Sequence, residues 1–297
     1  MKELYRPTFT MLVGIPGCGK STYAKNRLDY FKEDCVKIFS SDEIRQELWG
    51  DENCQQEPYK VFNLMHERVL DALKNGYDVI YDATNLTRKS RRGIMSLLPT
   101  YVKTECVIVW APIEDCIKRD AERARSVGEE VIMTMCRRFE APFYDEGFDE
   151  IKLYLTQKDA INAKQYFDDC LEAMHIPHDN PHHSAGVWEH CQLCGEYLED
   201  KPVPYAVKVA GYIHDIGKPL TKTFTNTKGE VTDIAHYYGH QAVGAWISYG
   251  FPEVNLVTAW LISTHMAPFI NQKYYNSLDP LYKSWIEALH KADTEAH

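Results

Sequence analysis

The sequence predicts two domains: an α/β unit with a parallel sheet flanked by helices over residues 1–157, then an all-α unit over residues 158–297. Three observations carry this expectation. Short β-rich runs alternate with helix-like stretches only in the first half, the pattern of a parallel sheet covered by helices. After Leu155 helical periodicity takes over. The residue types also divide, with all twelve arginines at or before Arg138 and eleven of the twelve histidines at or after His175.

The expected strands are Phe9 to Val13, Val36 to Phe39, Val79 to Tyr81, Val102 to Trp110 and Ile151 to Leu155, rich in β-branched and aromatic residues. Helical stretches such as Tyr59 to Leu73 and Ile113 to Arg123 lie between them. In the second half, helical periodicity marks Asp159 to His175, Val187 to Leu198, Tyr205 to His214, Gln241 to Tyr249, Val254 to Thr264 and Leu281 to His290. One interruption, KTFTNTKGEVTDIA, reads as a small hairpin or an extended loop around Lys228 and Gly229.

No run approaches the roughly 20 apolar residues of a membrane span, so a soluble, cytoplasmic protein with no membrane partner is expected. Nine scattered cysteines argue against a disulfide scaffold and fit a reducing compartment. The net charge of −10, divided as −3 for residues 1–157 and −7 for residues 158–297, opposes a long nucleic-acid footprint. It leaves room for an enzyme that grips a strand end.

The segment GIPGCGKS fits G-x-x-x-x-G-K-[ST] and sits after the strand FTMLV and before the helix STYAKNRL. Glycines in such a loop let backbone N–H groups turn toward phosphates, the lysine meets the β and γ phosphates, and the hydroxyl ligates Mg²⁺. Gly14, Pro16, Gly17, Cys18, Gly19, Lys20, Ser21 and Thr22 are therefore expected to hold ATP or another nucleoside triphosphate, with Ser21 on Mg²⁺.

A kinase also needs a group that takes the proton of the acceptor hydroxyl, at the carboxyl end of a neighbouring strand. Asp42 follows the strand VKIF through Ser40 and Ser41, where a carboxylate serves either as that base or as a helix N-cap. Arg45 falls three residues on, on the same helical face, and suits a phosphorylated acceptor. Asp82 ends the strand DVIYD, where it holds Mg²⁺ through water, orients the acceptor, or caps the turn ATN. Arg119, Arg123 and Arg125 in KRDAERARS fit a lid over the triphosphate or a solvated helix face.

In the second half, VAGYIHDIGK sets His214 and Asp215 side by side at a helix end. With His190, His236, His240, His265 and Asp293 they make a mixed imidazole and carboxylate cage suited to one or two divalent transition metals and a hydrolytic water. Lys218 either places its ammonium beside a scissile phosphate or is a surface lysine in a turn. Cys191 and Cys194 have C-x-x-C spacing without a second pair and read as packing residues. His182 and His183 read as part of the loop entering the first helix of the cage.

GIPGCGKST, SSDEIRQ, YDATNL followed by RR, KRDAERARSVGEEVI and FYDEGFDEI together resemble the phage-type 5′-hydroxyl polynucleotide kinases over nearly all of residues 8–155. The resemblance implies that Asp42 is the general base, that Arg45 binds the acceptor's 3′ phosphate, and that Arg123 is the lid arginine on the donor phosphates. It also brings Arg119 to the triphosphate and Asp82 and Asn85 to the acceptor. The sequence departs from the family at Asp120, where asparagine is frequent, and at Gly128, where proline is common. Residues 165–297 resemble the HD-domain phosphohydrolases, with His190, His214, Asp215 and Asp293 matching the metal motif and His240 and His265 matching later histidines.

Together these resemblances imply an α/β P-loop kinase domain followed by an all-α HD-type domain, and a bifunctional enzyme that heals RNA or DNA strand ends for a downstream ligase. It would phosphorylate 5′-OH ends and remove 3′-phosphate or 2′,3′-cyclic phosphate ends. Two other readings stay open: a kinase for a nucleoside or small metabolite coupled to a nucleotidase, and a nucleotide-gated HD sensor.

Overall fold

The computed structural model describes residues 6–30, 35–180 and 185–295, so His182 and His183 lie outside the described residues. In chain order the elements begin β1 (Thr8–Val13), α1 (Lys20–Tyr30), β2 (Val36–Ser40), α2 (Ser41–Trp49), α3 (Pro58–Lys74), β3 (Asp78–Asp82) and α4 (Arg88–Met95). They continue β4 (Lys103–Val109), α5 (Ile113–Ala121), α6 (Glu129–Cys136), β5 (Glu150–Tyr154), α7 (Gln157–Glu172), α8 (Val187–Glu199), α9 (Tyr205–Ile213), α10 (Lys218–Thr221), β6 (Lys222–Thr225) and β7 (Val231–Tyr237). The last are α11 (His240–Ser248), α12 (Leu256–Thr264), α13 (Ala267–Ile270), α14 (Gln272–Ser277) and α15 (Pro280–Glu295). No helix of the described residues is long and apolar enough to cross a membrane.

The chain divides into two compact units, the first made of Met1–Trp110, Asp115–Ser126 and Tyr144–Leu155, the second of Ala111–Glu114, Val127–Phe143 and Thr156–His297. In the first, five strands form one sheet in the order β2-β3-β1-β4-β5, every neighbouring pair parallel. A parallel sheet is covered on both faces, and β1 obeys: Phe9, Met11, Leu12 and Val13 are all inaccessible to solvent. Because β1 is flanked by β3 and β4, the chain leaves it at the crevice beyond the strand carboxyl ends where open α/β sheets place their ligands.

Helix entries follow side-chain capping. Ser40, rather than Asp42, is the N-cap of α2: its hydroxyl accepts from the Asp42 backbone N–H, which leaves the Asp42 carboxylate free of that duty. Thr87 caps α4 in the same way. Sequence periodicity did not announce α4 or α6, each eight residues long and each burying only two side chains. The short α4 is anchored by Arg91, fully buried, which grips Glu146 with two hydrogen bonds of 2.7 and 2.8 Å and donates to the Asn85 and Leu86 carbonyls at 3.1 Å.

The second unit is helical apart from the antiparallel pair β6-β7, which is the expected hairpin, turning near Gly229 with φ +83°. Its core rests on aromatic pairs: Phe143 stacks on Trp260 at 4.4 Å, Phe139 meets Trp246 edge-on at 5.3 Å, and Phe167 stacks on Phe251 at 4.3 Å. Phe139 and Phe143 come from Val127–Phe143, a segment that precedes the last strand of the sheet in sequence but packs with the helical unit.

Candidate active sites

The phosphate loop is built on backbone geometry that only glycine takes without strain. Gly17 has φ +80° and Gly19 φ +104°. A Cβ built on Gly17 would stand 2.2 Å from the Cys116 carbonyl oxygen. Gly17→Ala is therefore expected to distort the loop and abolish nucleotide binding, read by titration of a fluorescent ATP analogue; unchanged affinity would contradict this account of the loop.

Lys20 curls over the loop, its ammonium donating to the Gly14 and Ile15 carbonyls at 2.9 and 3.0 Å. Cys18 is buried beneath it, with Sγ 3.7 Å from Lys20 Nζ, while Pro16 is buried and Thr22 is exposed on α1. Ser21 donates its hydroxyl to Asp82 Oδ2 at 3.1 Å, so the last loop residue and the last residue of β3 converge. Burial raises the Asp82 carboxyl above its ordinary range, against the pull of Lys20 and Ser21. Two hard oxygen donors this close, one of them a carboxylate short of compensation, fit Mg²⁺.

Asp42 is the second residue of α2, two positions past Ser40, the end of β2 and the register partner of Asp82. Its side chain is 57% exposed, and Oδ1 accepts from Arg45 Nη1 at 2.7 Å. Arg45 is itself nearly buried and its Nε has no hydrogen-bond partner. The guanidinium therefore fixes the carboxylate and keeps a donor in reserve. Asn85, in the left-handed region at φ 48°, is buried and donates to the Leu12 carbonyl at 2.7 Å, bracing β1 from behind.

Arg119 and Arg123 pair loosely with Asp115 and Asp120 at 3.9 Å, and Arg125 reaches Glu52 at 3.3 Å. Asp120 is buried and accepts from Ser126 at 2.6 Å, pinning the base of the exposed stretch that carries Arg123 and Arg125.

In the helical unit, α8, α9 and its following turn, α11, α12 and α15 bring His190, His214, Asp215, His240, His265 and Asp293 together. His190 Nε2 lies 2.9 Å from Asp293 Oδ1, and His240 Nε2 lies 3.4 Å from Asp215 Oδ1. Three of the rings are oriented from behind: Nδ1 of His214, His240 and His265 faces the carbonyls of Gly211, Tyr237 and Ile262 at 3.0, 2.9 and 2.8 Å. A carbonyl only accepts, so each Nδ1 carries the proton and each Nε2 of a neutral ring presents a lone pair inward.

That arrangement asks for a cation. His240 Nε2 and His265 Nε2 are 3.2 Å apart, lone pair to lone pair. Burial lowers both rings, His265 to about 3, so neither supplies a proton between them. His214 Nε2 is buried without a hydrogen-bond partner, 3.5 Å from both Asp215 Oδ2 and Asp293 Oδ1. Burial opposes the charges of Asp215 and Asp293, yet Lys218, His214 and His240 hold Asp215, and His190 and His214 hold Asp293, below the ordinary carboxyl range. Against burial, Cys191 and Asp215 push His214 up, a position where a bound cation would replace the ring's proton, and the neutral His240 and His265 rings with the ionised carboxylates fit divalent metal.

His236 does not join them. Residues alternate in facing along a strand, and on β7 it is Tyr237 that turns inward to donate to the His178 carbonyl. His236 consequently faces the other way, 3.1 Å from the Thr232 hydroxyl and stacked on Tyr238 at 5.4 Å.

Lys218 is a buried residue of the site rather than a surface lysine: Nζ is 2.5 Å from Asp215 Oδ2 and 3.0 Å from His178 Nε2. His178 escaped sequence reasoning because it stands in an irregular segment with no periodicity to place it. Its ring is buried, 5.5 Å from that of His190. Burial and then the Lys218 ammonium lower it to about 4. An unfolded imidazole titrates near ~6.5, so this stability is full above that value and is lost as pH falls toward the folded one. In metal-stripped protein the urea midpoint should fall across that window, and His178→Gln should flatten the fall.

Residues 9–142 match the family model of the AAA domain, and residues 182–291 match that of the HD domain. The chain is a P-loop kinase-type AAA domain followed by an HD domain. The chain is also similar to the L-seryl-tRNA(Sec) kinase of Methanococcus maripaludis, 27% identical over 170 residues that cover 54% of this chain and 64% of that protein. A chain of the Pnkp1/Rnl/Hen1 RNA repair complex is 25% identical, with 46% of this chain and 45% of that one covered and a TM-score of 0.41. A fungal RNA kinase is 16% identical, with 56% and 44% covered and a TM-score of 0.39. The chain spans less than two thirds of each of these relatives. The AAA domain implies a nucleotide with Mg²⁺, and the HD domain implies bound metal.

Proposed function

We propose that this chain is a bifunctional end-healing enzyme that phosphorylates polynucleotide 5′-OH ends from ATP and removes 3′-phosphate or 2′,3′-cyclic phosphate groups, readying ends for a ligase. The observation that carries the kinase half is the Asp42–Arg45 pair: an exposed carboxylate fixed by a guanidinium at 2.7 Å, two residues beyond the end of β2 and near the Ser21–Asp82 couple. A base and an anion clamp three residues apart suit an acceptor hydroxyl whose own molecule carries a phosphate. The tRNA-directed kinase among the relatives supports an RNA-borne hydroxyl.

In this reading Asp42 takes the proton of the 5′-OH as its oxygen attacks the γ phosphorus in line. Arg45 holds the acceptor's 3′ phosphate, and Lys20 leaves its loop carbonyls for the β and γ oxygens. Arg123 closes on the donor to offset charge. Mg²⁺, held by Ser21 and through Asp82, would neutralise phosphate oxygens. In the HD domain His190, His214, Asp215 and Asp293 would hold one divalent ion, with His240 and His265 available to a second. Such metals lower the pKa of bound water toward neutrality. Lys218 shifts from Asp215 to the anionic oxygens of the scissile phosphate.

One oligonucleotide bearing a 5′-OH and a 2′,3′-cyclic phosphate tests both halves. The expected products are an ATP-dependent 5′-phosphate and, with added divalent metal, a 3′-OH. Equal phosphorylation of a free nucleoside and its 3′-monophosphate would instead point to a small-metabolite kinase. Metal and nucleotide binding without turnover of any phosphoester would point to a sensor.

A further inference from the structure

The HD cluster contains a thiol that the histidine and carboxylate motif does not include. His190 and Cys194 are four residues apart on α8 and so project from one face, both buried, with Cys194 Sγ 3.7 Å from His190 Nε2. One donor atom each from His190, Cys194, His214 and Asp293 lies within 4.8 Å of the others. The buried, partnerless His214 Nε2 belongs to this same group.

Metal–ligand distances of roughly 2.0–2.3 Å in a tetrahedral shell set neighbouring donors about 3.3–3.8 Å apart. The His190–Cys194 separation of 3.7 Å and the His214–Asp293 separation of 3.5 Å fall in that range, and His190–Asp293 at 2.9 Å would open slightly. Cys191 differs. Its Sγ is 3.8 Å from His214 Nδ1, the nitrogen already committed to the Gly211 carbonyl, so it approaches the back of the ring.

We propose that Cys194 is a direct metal ligand, joining His190, His214 and Asp293 at the first position, with Asp215 shared between that position, through Oδ2 at 3.5 Å from His214 Nε2, and His240, through Oδ1 at 3.4 Å. The thiol proton passes to solvent as the sulfur–metal bond forms. Sulfur biases this position toward Zn²⁺, Co²⁺ or Fe²⁺ over Mg²⁺ and Mn²⁺, leaving the Asp215–His240–His265 corner as the harder position. The proposal rests on the reading of the HD cluster as a metal centre.

Full-length protein stripped with chelator and reloaded with Co²⁺ separates the two ideas. The expected spectrum has visible d–d bands and a near-ultraviolet sulfur-to-cobalt charge-transfer band. Cys194→Ser should lose the charge-transfer band while keeping d–d bands, and should shift metal preference from Zn²⁺ toward Mn²⁺; Cys191→Ser should retain the band. Wild-type d–d bands without charge transfer, or a charge-transfer band that survives Cys194→Ser, would overturn the thiolate ligand and leave the metal centre standing. Absence of any cobalt band would overturn both. The wild-type spectrum decides even where a variant fails to fold.

Discussion

Asp42→Asn is expected to slow phosphoryl transfer to a 5′-OH oligonucleotide by roughly 10²–10⁴-fold, the usual contribution of a positioned general base. The change is nearly isosteric and keeps an oxygen that can accept from Arg45 Nη1, now 2.7 Å away. Ser40 performs the capping of α2, so the substitution removes no cap and the melting temperature should stay close to that of the wild type. ATP affinity should also persist, because Asp42 does not touch the loop. Transfer from labelled ATP under single-turnover conditions is the measurement, and an undiminished rate would remove Asp42 from the mechanism. Arg45→Ala should act differently, raising KM for a nucleoside 3′-monophosphate more than for an acceptor without the phosphate.

The second large effect is expected at His214. His214→Ala should reduce removal of 3′ phosphate or 2′,3′-cyclic phosphate to background and lower the bound divalent metal. Its Nε2 faces Asp215 and Asp293 at equal 3.5 Å distances with no other partner. The kinase rate should be unaffected. Added chelator should mimic the substitution in the hydrolytic assay, and restoring individual metals should recover activity only in the wild type. A variant that retains full hydrolysis would exclude the histidine cluster as the second centre.

The elements were legible in the sequence where side-chain pattern alone determines them. The five strands and the long helices fall within a few residues of their expected bounds because buried β-branched runs and amphipathic repeats decide them locally. Polar α4 was not, since it is held by Arg91 reaching Glu146, a contact between residues 55 positions apart that no local pattern encodes. The metal cluster was legible as residue types in order, but facing was not. Strand alternation on β7, which excludes His236 and admits Tyr237, depends on which side of the hairpin meets the helices. His178 was hidden for a related reason: an irregular segment has no period. The reserve donor on Arg45 likewise emerges only once its ion pair with Asp42 is seen.

The two units are interleaved along the chain, which limits how either could be isolated by truncation. A fragment ending after β5 would retain Phe139 and Phe143 yet lose Trp246 and Trp260, the rings that cover them. A fragment starting at α7 would uncover the same tryptophans from the opposite side. Either truncation exposes aromatic surface that the intact polypeptide buries, a recipe for aggregation. Dissecting the enzyme therefore calls for point substitutions rather than scissors.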